Sequence, residues 1–228
     1  MTCKEIYFFR KEEEKAKMKK RGMIWIGTLF LIFVLGGCGG PSMSVRVTVT
    51  PKLAEKMYPD KIPLAIGLYL SEEFKNYRVT DSEKTLGTTY DFWNLGKESA
   101  GMFEVGLRHT FQKVLVLEEK PPFTKAPAVP LQAIVEPAIE SFDFKTPALV
   151  FQTWSSNIHY RVEVYDPSGK TIWKKSIIGK GEASGSYTRT LEELGANPSR
   201  PATRAIEDGT NQLLEALTGS EEIKGLVK

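Results

Sequence analysis

Cysteine is almost missing from this chain, with Cys3 and Cys38 the only two in 228 residues. Histidine is equally scarce, at His109 and His159. Neither has a second His or a Cys at ligand spacing, so no metal centre is expected. The Gly-x-Ser-x-Gly elbow is missing too. At Gly181-Glu182-Ala183-Ser184-Gly185 the serine stands one place out of register. There is no phosphate-loop lysine motif. Gly179, Gly181 and Gly185 miss the dinucleotide spacing, since the sixth position is Ser184 and GSYTRT is no helix start. A flexible strand end or bulge is the expectation for these glycines. Glu136, Glu140 and Asp143 could supply a carboxylate pair, but acids alternating along a solvated face explain them as well. A triad assembled from distant residues would leave no such mark. The chain also lacks a long hydrophobic run. Its most apolar stretch, Met23 to Leu35, has thirteen residues. A spanning helix needs about 20, and about 10–14 suits a signal-peptide core.

What surrounds that stretch says why Cys38 is where it is. Lys19, Lys20 and Arg21 precede it, as the positive region of a secretory signal requires. Gly36 and Gly37 follow it, small enough to lie extended in a peptidase groove, and then Cys38. Leu35-Gly36-Gly37-Cys38 closely resembles the lipobox of bacterial lipoproteins. The resemblance implies diacylglycerol on the Cys38 thiol, cleavage between Gly37 and Cys38, and fatty acylation of the new N-terminus. Gly39 and Gly40 follow, where an aspartate would resemble the inner-membrane retention mark of enteric-type bacteria. The implied address is the periplasmic face of the outer membrane, or the cell membrane in a single-membrane host. Read from Met1, the charged region would be over twenty residues long and include Glu12, Glu13 and Glu14. Read from Met18, its proportions are ordinary, and Met18 is the expected start.

Residues 1–37 hold 8 of the 31 Lys and Arg and 4 of the 28 Asp and Glu, leaving 23 basic and 24 acidic residues, a net of −1. The basicity therefore belongs to the address. Nothing in the remainder suggests nucleic acid, and with one cysteine left it has no internal disulfide. About 190 residues suffice for one domain with a sizeable core.

The expected division is signal peptide 1–37, lipidated cysteine and tether 38–43, an α+β domain over 44–219, and a C-terminal tail over 220–228. Ser44 to Thr50 alternates as a half-buried strand stopped by Pro51. Leu64 to Leu70 is continuously apolar and reads as a central strand. Residues 71–96 are mixed, a loop or weak hairpin. Lys97 to Gln112 has helical spacing, with Phe103, Leu107, Thr110 and Phe111 inward. VLVLEE (114–119) reads as a strand. Lys120 to Pro130, with four prolines, reads as a stiff exposed connection. Leu131 to Phe144 is a long strand in which Pro137 demands a bulge or an edge position. Ile158 to Tyr165 and the return from Thr171 form a hairpin around Asp166-Pro167-Ser168-Gly169, a type I turn. Ser199 caps a closing helix with Pro201 in its first turn, and Gly219 ends it. The expected architecture is a single antiparallel-rich sheet with two main helices on one face, preceded by the signal-peptide helix.

The stretches LAIGLYL, FQKVLVLEE, YRVEVYDPSGKTIW, GKGEASG and the closing Ala-rich helix are similar to a group of small envelope lipoproteins. These are the YajG-like lipoproteins and others with a fold like the N-terminal domain of TolB. The resemblance covers roughly residues 62–217 and carries no catalytic residues. It implies a binding or accessory module without a cofactor.

Two aromatic groups are the candidate partner-binding residues: Tyr90, Phe92 and Trp93, then Trp154 and Trp173 with Tyr187, Lys174 and Lys175. Aromatics beside cations favour interface hot spots, and they are equally ordinary core material. Lys174 and Lys175, adjacent on a strand, point to opposite faces. The function expected is that of a non-enzymatic, lipid-anchored periplasmic module held to the membrane through Cys38 and supporting an envelope complex by protein contacts. The alternative is an envelope hydrolase or ligand carrier. A deep apolar pocket would favour the alternative, and a shallow groove beside an open sheet edge would favour the module.

Overall fold

In the computed structural model, residues 42–50, 61–81, 88–125, 127–146, 153–184 and 191–227 are described. They lie in one compact unit spanning 41–228. The lipobox, its cysteine and the apolar run before it lie outside them. The elements in order are β1 (Ser42–Arg46), β2 (Ile62–Tyr69), α1 (Glu72–Lys75), β3 (Val79–Asp81), β4 (Thr89–Trp93), α2 (Leu95–Thr110), β5 (Phe111–Leu117), β6 (Ala133–Lys145), β7 (Thr153–Tyr165), β8 (Thr171–Ser184), α3 (Leu191–Gly219) and α4 (Glu221–Lys224).

The fold is α+β, but the expected single antiparallel-rich sheet is two mixed sheets. One has the order β1-β4-β3 and the other β5-β2-β6-β7-β8. β1 runs parallel to β4, and β2 is parallel to both neighbours, β5 and β6. Parallel neighbours need a long crossover. Here α2 returns the chain to β5 on one side of β2, and the proline-rich segment carries it past to β6 on the other. β2 is therefore central, as its continuous apolar run implies. Of residues 71–96, the described ones form α1, capped by the Ser71 hydroxyl, and the antiparallel neighbours β3 and β4, in line with the hairpin alternative expected there.

Pro137 is accommodated by where β6 loses a neighbour. β2 pairs with β6 only as far as Val135, so Pro137 faces a partner strand on one side alone. Two residues on, the ladder with β7 is interrupted between Ile139 and Ser141. The β7–β8 hairpin closes through the expected turn, with the Gly169 amide donating to the Asp166 carbonyl at 2.9 Å and Gly169 at φ 90°.

The core lies between the five-stranded sheet and α2 and α3. Alternation sends Ile158, Tyr160, Val162 and Val164 of β7 inward, and all four are fully buried. Phe103 and Leu107 of α2 and Ala205, Ile206, Leu213 and Leu217 of α3 meet them at 0 % exposure. The three-stranded sheet closes the far end through aromatic contacts. Phe92 lies 4.9 Å from Phe142 and 4.7 Å from Phe144, and Tyr90 lies 5.2 Å from Phe144.

The helix predicted from Ser199 begins eight residues earlier, at Leu191, with Pro198 and Pro201 inside it. A proline removes one N–H and crowds the preceding turn, but upstream residues can still be helical. A Ser-x-Pro pattern alone therefore does not set a start. Beyond Gly219, the Ser220 hydroxyl caps α4 and Ile223 is buried.

Gly179 and Gly181 are neither bulge nor strand end. Both lie in continuous register with Ile158 and Ser156. A Cβ on Gly179 would come within 2.0 Å of the Ala205 carbonyl oxygen, and one on Gly181 within 1.9 Å of that of Pro201. The glycines let α3 lie directly against β8.

Candidate functional site

The two sheet edges differ. β8 is the edge beside α3, and three side chains of that helix bond its backbone. The Lys180 amide donates to the Asp208 carboxylate at 2.8 Å, and the Gln212 amide group donates to the Ile178 carbonyl at 2.9 Å. The Arg204 guanidinium donates to the Glu182 carbonyl. Asp208 and Gln212 also bond each other at 2.7 Å. An edge strand so occupied is closed to another strand. At the opposite edge lies β5, outside which this sheet has no strand among the described residues. Arg108 reaches the Val114 carbonyl at 3.2 Å. Val116 is 43 % exposed there.

Beside the end of β5 runs an open groove of about 600 Å³. Leu115 and Leu117 form one wall, and Phe123, Lys125 and Pro127 of the proline-rich segment form the other. That segment is not simply exposed. Pro121 is buried, and the segment is pinned where the Glu119 carboxylate accepts from the Thr124 amide and hydroxyl at 2.9 and 3.0 Å. These bonds hold the Glu119 carboxyl below its ordinary range.

The face of the large sheet turned away from the helices is an ionic ladder. Lys174 Nζ lies 2.8 Å from Glu163, and Arg161 Nε lies 3.7 Å from both Glu163 and Glu140. Lys120 lies 3.7 Å from Glu136, and His159 Nε2 lies 3.3 Å from Asp143. The Tyr165 hydroxyl donates to Glu163 at 2.7 Å. The hydrogen bond from Lys174, then that from Tyr165, holds Glu163 below the usual carboxylate range. Burial, then bonding to Glu163 and Glu136, pushes the Tyr165 phenol up. The three acids Glu136, Glu140 and Asp143 thus each face a different basic side chain. A second, smaller cleft of about 370 Å³ opens where the β6 irregularity meets Tyr77 and Arg161.

The candidate aromatics do not form one surface. Tyr90 and Phe92 are buried, at 8 % and 0 %. Trp154 joins them, stacked 5.6 Å from Phe144 and edge-on to Tyr90 at 6.1 Å. Trp93, on the opposite face of β4, is 37 % exposed under the Arg46 guanidinium, 5.2 Å from its ring centroid. Trp173 is half-buried against the core. It pairs with Val164 and Trp154 with Ala183, at opposite ends of the hairpin. Ten residues of strand separate the two pairs, about 33 Å. Tyr187, like Gly37 and Cys38, lies outside the described residues. His109 is exposed at the end of α2.

Sequence reasoning missed the closure of β8 by α3 and the ionic ladder. Of the ladder, the sequence showed only the acids 136, 140 and 143 on a solvated face and the alternation of charge through HYRVEVY. No family model and no curated protein matches the chain. Among solved structures, it is similar to a Xanthomonas campestris protein of the DUF330 family at TM-score 0.41 and 8 % identity, over 79 % of this chain and 99 % of that one. It is similar to a minor lipoprotein of Acinetobacter baumannii at TM-score 0.40 and 7 % identity, over 70 % and 93 %. A Helicobacter pylori protein described as a candidate neuraminyllactose-binding hemagglutinin homologue matches at TM-score 0.40 and 12 % identity, over 79 % and 95 %.

Proposed function

We propose that this chain is a bacterial lipoprotein of the YajG-like kind, tethered by acyl chains on Cys38 to the periplasmic face of the outer membrane. Its folded domain acts by binding another protein rather than by catalysis. The observation that carries the reading is the ordered series Lys19-Lys20-Arg21, the thirteen-residue apolar run and Leu35-Gly36-Gly37-Cys38. A run of that length with those flanks suits a cleaved signal. Thioether diacylglycerol plus an amide-linked chain exceeds the two signals that stable anchoring takes. The domain supports the binding half of the reading: its groove is open and lies beside a sheet edge that no described strand pairs. Main-chain pairing along such an edge, with neighbouring pockets for alternate side chains, is a general mode of protein recognition.

Metabolic labelling with a fatty-acid analogue tests the anchor. Wild type takes up label and is shortened, while Cys38→Ser stays unlabelled and uncleaved. Label retained by the variant overturns the reading. Density-gradient separation of membranes from the native host tests the address, and co-migration with inner-membrane markers overturns it.

A further inference from the structure

We infer that the outer face of the small sheet is a membrane seat, on which the domain lies against the phospholipid headgroups beside its own anchor. The inference rests on the acyl anchor at Cys38 and adds an orientation to it. Its starting point is the length of chain before the fold. Cys38 stands four residues before Ser42, where β1 begins. Four residues span at most about 14 Å, so acyl chains on Cys38 hold the start of β1 close to the bilayer. The surface brought within reach is the one β1 helps to build.

That surface is composed for a headgroup layer. Side chains of β1 alternate, with Val45 and Val47 buried and Ser44 and Arg46 exposed. In register, Arg46 pairs with Trp93, Ser44 with Asp91, and Asp91 with Thr80. Paired residues share a face, so these five lie together on the side turned from the core. Trp93 is the one aromatic among the exposed large hydrophobic residues of the described chain. An indole has an apolar body and a polar N–H, the combination found at membrane–water interfaces. Arg46 stands over its ring. On the other side of β4, the exposed Arg78 leads into β3. A guanidinium matches a phosphate group in geometry, and each cation close to an anionic leaflet adds attraction. Among the described residues, no carboxylate forms a salt bridge with either arginine. Asp91, the acid within these pairs, accepts from the Thr80 hydroxyl at 3.2 Å.

The tether chooses the occupant, since it keeps lipid beside this face at all times. The seat also directs the rest of the domain. Val116 of β5 is level with Leu68, and Leu68 with Val135 near the start of β6. The small sheet packs on Phe142 and Phe144, about 20 Å further along β6. With the seat down, the groove and the β5 edge stand clear of the headgroups.

The test uses the mature acylated chain in vesicles of phosphatidylethanolamine and phosphatidylglycerol that carry a nitroxide quencher on their headgroups. A fluorophore is attached at Thr80→Cys on the seat or at Val116→Cys on the far edge. No other thiol competes, because Cys38 is acylated and Cys3 is removed with the signal. Quenching at Thr80 should exceed that at Val116 severalfold. Arg46→Glu with Arg78→Glu should lower the Thr80 quenching roughly tenfold. Trp93→Ala should lower it as well, and both variants should still float with the vesicles. Circular dichroism confirms that each is folded. Thr80 quenching unchanged by these substitutions describes a domain that merely hangs from its tether, and overturns the inference with the anchor intact. Wild type that fails to float overturns the anchor reading and the seat with it. A Thr80 probe unquenched in vesicles but shielded from aqueous iodide in native membranes overturns the inference in favour of a protein on this face.

Discussion

Tyr160 shows how much one side chain can coordinate. It comes from the middle of β7, is fully buried, and touches both helices. Its ring lies 4.9 Å from Phe103, its hydroxyl shares a 2.8 Å hydrogen bond with Ser99 of α2, and its edge lies against Gly209 of α3. Burial pushes the phenol far up, so it stays neutral. Tyr160→Phe keeps the ring but leaves the Ser99 hydroxyl buried without that partner, at a cost of about 1–3 kcal/mol. Adding Ser99→Ala removes the orphan, and the double variant should recover part of the loss in urea melts. Glu163 makes a prediction in pH. Its folded pKa is lowered by Lys174 first and Tyr165 second. Its stabilisation is therefore full above the ordinary Glu value of about 4.3 and is lost as pH falls through the lowered folded value. Glu163→Gln should flatten the acid limb of the stability profile and leave stability at pH 7 lower. The residue is partly exposed, so the effect should stay within about 1 kcal/mol.

At the scale of elements, the decisive contact is α3 on β8. Two strand glycines bring backbone to backbone, and helix side chains then bond the outer edge. Gly179→Ala or Gly181→Ala would drive a methyl into a carbonyl oxygen that cannot swing away. The helix must lift, so the cost should reach the upper part of the overpacking range, about 3 kcal/mol or more. Thermal unfolding of either variant measures it. Asp208→Ala leaves the helix seated but uncovers the Lys180 amide. A modest loss of about 1 kcal/mol should come with faster hydrogen exchange at Lys180.

For the whole molecule, the question is whether two sheets make one folding unit. Phe92 and Tyr90 of the small sheet pack into Phe142 and Phe144 of the large one, so neither sheet covers its own core alone. Calorimetry should show one transition. Phe92→Ala should cost about 3–5 kcal/mol and lower that single transition without splitting it. Two resolved transitions would show that the sheets fold separately.

Periodicity and punctuation determined a great deal on their own. The alternation from Ile158 to Val164, the turn at Asp166–Gly169, the apolar spacing of Phe103 and Leu107, and the stop at Gly219 are local signals, and each is realised where it stands. The central place of β2 was legible for the same reason, since a strand covered on both faces needs apolar residues throughout. Pairing partners were not legible. Whether β2 lies parallel to β5 and β6 depends on where the long connections lead, and no residue within a strand encodes the direction of its neighbour. The glycines 179 and 181 were visible as glycines, but their use depends on a helix twenty residues further along the chain. The aromatics divided for a similar reason: Tyr90 and Phe92 were assigned to the core, and Trp93 to solvent, by which face of β4 met the large sheet. Which of the two sheet edges is open could be decided only by the seating of α3, because a strand edge is closed by groups that come from elsewhere in the chain.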